Sequence, residues 1–402
     1  MINSKRSYEQ LKCFFVFNKK VFMDPRYIIY PSLIEALTTL NIACEVVFEE
    51  QLEGKLDEIG KKDTVIFVNS YLLDITSIKA HDILAKIKGV KLSIGFDDEY
   101  RYRWTFNFAQ HMHKILTFDP VTLEYLSQLG VDCSFCPHPL KEVQINHAKK
   151  VNDNYDVSFI GRVSPDKPMR YKLLKAVENE FPNSFIPGMH GQYVNLEIMH
   201  SAFQASKVNL NLTGISDFNF DHPLPFQQLR RGFKGRPFEI GACGGFCLSE
   251  LSPSIQRALA GTNAIDFFED IDECLEKIEY YLKHVDVRIA KARQLNIFTQ
   301  SNILSNQSSN LFGNEVLNTI RSYNKLGVPK TLYERYPDYK IDNNVQPSME
   351  LERLKCLMKN HEFFNFIKQT LYLYRQNFLC AFMISGQLVG SMFRFLVRKK
   401  KL

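Results

Sequence analysis

The chain of 402 residues is poor in the features that mark specialised protein classes, and each shortage excludes something. Its nine cysteines are scattered without disulfide-like spacing, which excludes a cystine-stapled scaffold and suits a reducing cytoplasm. Cys133 and Cys136 come closest to a metal pair and have no second pair; His111 and His113 have no third ligand nearby, so no metal centre is expected. A net charge of only +6 is far from a nucleic-acid-binding signature, though it suits phosphate-bearing ligands or an anionic surface. No repeat or low-complexity segment is present. The stretch Met1 to Lys12 is polar and charged, and we expect no signal peptide from it.

What is present is enough for two ordinary domains. Hydrophobic residues make up 45% of the chain and aromatics 13%, so real cores are expected rather than disorder. Short apolar runs at 13–17, 43–48, 64–68, 91–95 and 115–118 alternate with helical periods at 30–40, 78–87 and 120–129. That alternation predicts βαβ units and a doubly wound parallel sheet. A polar, lysine-rich stretch from Pro137 to Asn154 is the best boundary. A second αβ series follows it, with strands at 157–160, 208–212, 246–248 and 264–268, and helices at 169–181, 196–205 and from Asp270 to about Tyr323. The chain therefore divides into an α/β domain at 1–148, a second at 149–327, and a helical extension at 328–402. In the extension, Phe378 to Val397 is an almost unbroken apolar run closed by Arg398, Lys399, Lys400 and Lys401. Gln387 and Arg394 interrupt the run, so we expect a helix lying on the inner face of the cell membrane rather than crossing it; packing on the protein's own core is the alternative.

The most informative stretch is Lys234-Gly235-Arg236-Pro237-Phe238-Glu239-Ile240-Gly241-Ala242-Cys243-Gly244-Gly245-Phe246. A basic pair and an early acid open a short helix, and a Gly-Gly turn leads into a strand. Helix N-termini attract anions, and open α/β sheets bind ligands beyond the carboxyl ends of their strands. The basic side chains suit a phosphate, and Glu239 suits a ribose diol. Gly241, Gly244 and Gly245 read as sterically required, the turn after Cys243 needing positive φ.

The run Arg-x-Phe-Glu-Ile-x-Ala-Cys-Gly-Gly-Phe resembles the signature of the CgeB-like glycosyltransferases, a branch of the glycosyltransferase group 1 superfamily with the GT-B fold. The run Tyr155-Asp156-Val157-Ser158-Phe159-Ile160-Gly161-Arg162 resembles the first strand and loop of that family's nucleotide-binding domain, and Asp270 to His284 its late helix. The resemblance covers roughly residues 150–300. It implies two Rossmann-like domains facing a cleft, with a nucleotide-sugar donor on the second and an acceptor on the first. Donor binding is expected at Arg162, Lys167, Lys234, Arg236, Glu239, Gly244 and Gly245. The first acid of the superfamily's E-x7-E pattern would stand at residue 231, which is Arg231 here, so the sugar and the stereochemical outcome stay open.

Asp97 and Asp98 follow a buried strand and fall where CgeB-like members carry an Asp pair. They read either as a general base or orienting group for an acceptor hydroxyl, or as caps of a following helix. The expected activity is metal-independent sugar transfer, with no cofactor beyond the donor, onto a hydroxyl of a surface polysaccharide, lipid-linked oligosaccharide or protein glycan. A GT-B nucleotide-sugar epimerase and a non-catalytic glycan- or nucleotide-binding scaffold are the alternatives.

Overall fold

The structure, a computed structural model, describes residues 11–23, 29–68, 83–95, 108–141, 155–163, 168–214, 232–233 and 235–335. Two parallel sheets dominate it. The first contains β1 (Lys12–Phe17), β2 (Ala43–Phe48), β3 (Thr64–Val68), β4 (Val90–Ile94), β5 (Lys114–Thr117) and β6 (Cys133–Phe135), in the order β2-β1-β3-β4-β5-β6. Every pairing in it is parallel. The alternation in β1 sends Cys13, Phe15 and Phe17 to one face and Phe14 and Val16 to the other, and both faces are buried. That is the pattern of a sheet covered on two sides. On the first face lies α1 (Ile29–Thr38), which buries Leu33, Ala36 and Leu37 at helical spacing. On the second lie Leu84, Ile87, Phe108 and Met112, together with Leu126 of α2 (Pro120–Gln128).

The second sheet contains β7 (Tyr155–Ser158), β8 (Ser184–Phe185), β9 (Ser206–Asn211), β10 (Cys247–Glu250) and β11 (Asp266–Phe268), in the order β11-β10-β9-β7-β8, again all parallel. Its helices are α3 (Pro168–Glu180), α4 (Leu196–Ala205), α5 (Arg236–Ala242), α6 (Pro253–Ala258), α7 (Ile271–Lys283) and α8 (Val285–Asn302). Val157, Val208, Leu210 and Leu248 pack with α3 and α7 on one face. Phe203 of α4, Phe238 and Ile240 of α5, and Leu295 of α8 belong to the core on the other.

The helical stretch expected from Asp270 to about Tyr323 divides into α7, α8 and a third helix. After α8 the chain turns, and Asn310 caps α9 (Leu311–Leu326) by accepting from the Gly313 amide at 2.6 Å. Although α9 falls inside 149–327, its Phe312, Val316, Leu317, Ile320 and Tyr323 pack into the first sheet's core beside α1. The short α10 (Leu332–Arg335) stays with the same half: the Tyr333 amide donates to the Gln110 carbonyl at 2.9 Å, and Arg335 Nη2 to the Gly130 carbonyl at 2.6 Å. The first strand of the second half runs two residues earlier than the apolar run suggested. The two-residue β8 and the short α6 are too brief to leave a period in the sequence. Of the helix expected at 78–87, residues 83–86 are described and helical. The extension beyond Arg335, including 378–402, lies outside the described residues. Among those described, no helix is long and apolar enough to cross a membrane.

The halves meet along a continuous apolar seam. Phe118, just past β5, stands 4.8 Å from Phe233, and Phe233 stands 5.8 Å from Phe238 of α5 (ring centroids). Arg257 of α6 lies over the ring of Phe135, at the end of β6. Leu140 lies opposite Leu304 in a parallel bridge, its amide donating to the Ile303 carbonyl and its carbonyl accepting from the Ser305 amide, and the Ser305 hydroxyl donates to the Glu35 carboxylate. The carboxyl ends of β5 and β6 thus face the loops at the carboxyl ends of the second sheet.

Candidate nucleotide-sugar site

The segment singled out in the sequence forms α5, between β9 and β10. Pro237 suits the first turn, because an N–H there would have no intrahelical partner. Phe238, Ile240, Gly241 and Ala242 are buried, while Arg236 and Glu239 are half-buried. Three residues apart, they lie one turn above each other and form an ion pair. The Arg236 guanidinium also donates to Met199 Sδ at 2.7 Å and sits over the Phe203 ring, both on α4. Arg236 is therefore packed from below and neutralised from one side, which holds the Glu239 carboxylate in a set position at the start of α5.

His200 of α4 completes this cluster and was not singled out in the sequence. Burial holds its imidazole below the usual range; the Glu239 charge works against that and Arg236 adds to it. An isolated histidine in a helix carries no sequence signal for such a neighbourhood. Cys243, at the other end of α5, is pushed up to about 12, chiefly by burial and further by Glu239. It is a packed thiol and not an activated nucleophile.

Gly244 and Gly245 stand at the far end of α5 from Arg236 and Glu239. Gly244 has φ +75°, as the turn requires, and the Gly245 amide donates to the Ile240 carbonyl at 3.0 Å. A Cβ on Gly245 would lie 2.8 Å from Asn209 Nδ2 and from the Phe203 carbonyl. Both glycines serve the turn and the packing of α5 on the sheet.

Arg162 is exposed just beyond β7. Arg170, in the first turn of α3, donates to the Arg162 carbonyl at 2.9 Å and to the Leu212 carbonyl at 3.2 Å, tying together the carboxyl ends of β7 and β9. Arg170 is a second residue the sequence did not flag. Asn209 and Asn211 are buried within β9. Lys167, Lys234, Arg231, Asp97 and Asp98 lie outside the described residues. Gly95, the last described residue before the aspartates, follows β4 directly, its amide donating to the Leu116 carbonyl at 3.0 Å. His138, between two prolines, is buried edge-on against Phe118 in the seam, and burial lowers its pKa to about 3. Among the described residues, no group of three or more His, Cys, Asp or Glu could hold a metal ion.

Comparison with known proteins bears on this geometry. A family model described as Glycosyl transferase-like matches residues 148–307, which takes in β7 to β11 and α3 to α8. Over that stretch the second half is similar to the glycosyltransferase-like family. Among solved structures, Anabaena Alr3699/HepE in complex with UDP and glucose aligns with a TM-score of 0.52 at 9% identity, over 78% of this chain and 100% of that one. Sucrose-phosphate synthase from Thermosynechococcus elongatus aligns at 0.52 and 10% identity, over 79% and 99%. The N-terminal domain of Candida albicans trehalose-6-phosphate phosphatase aligns at 0.53 and 10%, over 80% and 98%. The fold is GT-B. At such identities the likeness concerns the fold alone. No curated protein matches the chain in sequence.

Proposed function

We propose that the protein is a glycosyltransferase of the CgeB-like kind, moving a sugar from a nucleotide-sugar donor to a hydroxyl of a surface polysaccharide, lipid-linked oligosaccharide or protein glycan. The observation that carries this reading is the Arg236–Glu239 pair at the start of α5, within the matched segment and on the side of the second sheet that meets the first half. Glu239 accepts hydrogen bonds from the ribose diol. Arg162, Lys167, Lys234 and Arg236 stabilise the diphosphate, where negative charge grows as the sugar leaves. The acceptor oxygen attacks the anomeric carbon, the bond from that carbon to the diphosphate oxygen breaks, and Asp97 or Asp98 takes the hydroxyl proton. In this reading the protein's cations do the work of a metal ion, and the basic tail at 378–402 rests on the inner membrane face.

Thermal shift with UDP, GDP, TDP and CMP, followed by turnover with the matching nucleotide sugars, tests the proposal, because a ligand that binds only the folded form raises its apparent stability. UDP comes first, since the Anabaena neighbour was solved with UDP and glucose. We expect one nucleotide to shift the wild type and Glu239→Ala to lose the shift while melting cooperatively. Nucleotide release that quickens with an acceptor supports transfer. Interconversion of the sugar with the nucleotide retained would mean an epimerase, and binding without turnover a scaffold.

A further inference from the structure

The carboxyl end of β10 carries an acid that the reading above does not use. Glu250 Oε2 accepts from the Thr213 amide at 2.7 Å, from the Gly214 amide at 2.7 Å and from the Thr213 hydroxyl at 3.2 Å. Thr213 is fully buried, and its hydroxyl also lies 3.4 Å from the Leu251 carbonyl. Thr213 and Gly214 are the last described residues before 215–231, and Gly232 and Phe233 the first after it. The two ends are joined: the Gly232 amide donates to the Thr213 carbonyl at 3.0 Å, and the buried Ser252 hydroxyl to the Gly232 carbonyl at 3.2 Å. Glu250 and Ser252, two residues apart, thus brace both sides of one crossing.

This crossing sits directly behind the candidate site. Phe233 is held against Phe118 of the first half and against Phe238 of α5, two residues after Arg236. A shift of Gly232 would move Phe233, and with it the first turn of α5 that carries Arg236 and Glu239. Free backbone amides at the end of a strand are ready donors to a phosphate. Here two of them are taken by a carboxylate, so their task is to fix the chain. Charge-assisted bonds from amides to a carboxylate are the strong kind, which suits a fixed anchor.

We propose that Glu250 is a positioning residue for donor binding, acting through Thr213, Gly232 and Phe233 to set the start of α5; this role rests on the nucleotide-sugar reading of the site. The test compares Glu250→Ala, Glu250→Gln and Ser252→Ala with the wild type in the full chain. Two quantities are measured: affinity for UDP, GDP and TDP by calorimetry, and hydrogen exchange at the amides of Thr213, Gly214 and Gly232. Glutamine keeps an acceptor oxygen, and we expect it to stay within about threefold of wild-type affinity. Alanine is expected to weaken nucleotide binding at least tenfold and to speed exchange at all three amides. Ser252→Ala does the same to a smaller degree and serves if Glu250→Ala does not fold. Tyr323→Phe, which loses bonds to Asp132 and to the His113 carbonyl far from α5, controls for destabilisation alone and keeps wild-type affinity. Wild-type affinity in Glu250→Ala, or unchanged exchange at those amides, would overturn the assignment. A wild type that binds none of the nucleotides would remove the functional reading and the positioning role with it, while the exchange comparison still reports whether the brace exists.

Discussion

The two sheets share a winding and differ in what fills their centres. In the first, β1 and β3 contribute Phe14, Phe15, Phe17, Val65, Ile66 and Phe67, all buried, and helices close both faces by apolar contact. In the second, the central strand β9 alternates. Val208 and Leu210 enter an apolar core on one side, while Asn209 and Asn211 point to the other and are no less buried. The Asn209 amide group donates to the Phe203 and Phe246 carbonyls at 3.2 and 3.1 Å, and its oxygen accepts from the Ser158 hydroxyl at 2.7 Å. Asn211 donates to the Ser249 hydroxyl at 2.9 Å. Ser158 and Ser249 are the in-register partners of Asn209 and Asn211 on β7 and β10. Apolar burial stabilises without direction, whereas satisfied polar ties fix one arrangement of neighbouring strands. In the function proposed above, the half with the polar ties is the one whose strand ends hold the donor.

The difference can be broken from either side. Phe15→Ala in the first sheet should cost about 3–5 kcal/mol, read as a lower urea midpoint, because the site cannot collapse around the lost ring. Asn209→Leu should cost less, about 1–3 kcal/mol, through the Ser158 hydroxyl and two carbonyls left unpaired. It should also weaken nucleotide binding measurably in calorimetry, whereas Phe15→Ala, in so far as it folds, should not. Equal loss of affinity in the two variants would show that the polar ties have no special bearing on the site.

The smallest effect is expected from acid. His113, whose Nδ1 accepts from the Lys91 amide at 2.8 Å, has its pKa lowered to about 4 by burial and by the Lys91 charge, against the pull of Glu334; His138 in the seam is lowered to about 3. The unfolded chain takes up protons on both near pH 6.5 while the folded protein does not, so their contribution to stability is complete above that pH. It is lost as pH falls from about 6.5 toward 4 for His113, and further, toward 3, for His138. His113→Asn retains an acceptor for the Lys91 amide and should show a smaller drop in urea midpoint between pH 7 and 5 than the wild type.

Much of this was legible in the order of residues. The strands Ala43–Phe48 and Thr64–Val68 and the helix Leu196–Ala205 stand where the period put them, because a run with one strong face leaves little choice. The start of α5 was legible for another reason: a proline, an arginine and a glutamate in one turn, followed by Gly-Gly, describe a helix, its exposed edge and its exit. The burial of Asn209 and Asn211 was not legible, because an asparagine in a strand looks alike whether its partners are water or a serine on the next strand. The brace at Glu250 was invisible for the same reason, since Thr213 and Ser252 lie far apart in the chain.

Sequence alone thus determined the alternating elements, the two parallel sheets and the short helix that bears Arg236 and Glu239, since propensity and period act over a few neighbouring residues. Only tertiary structure decided that α9 crosses to the first core, that Met199 and Phe203 support Arg236 with His200 nearby, and that Gly244 and Gly245 stand away from the pair. A period names the face a residue occupies. The partner across that face depends on where the rest of the chain has packed.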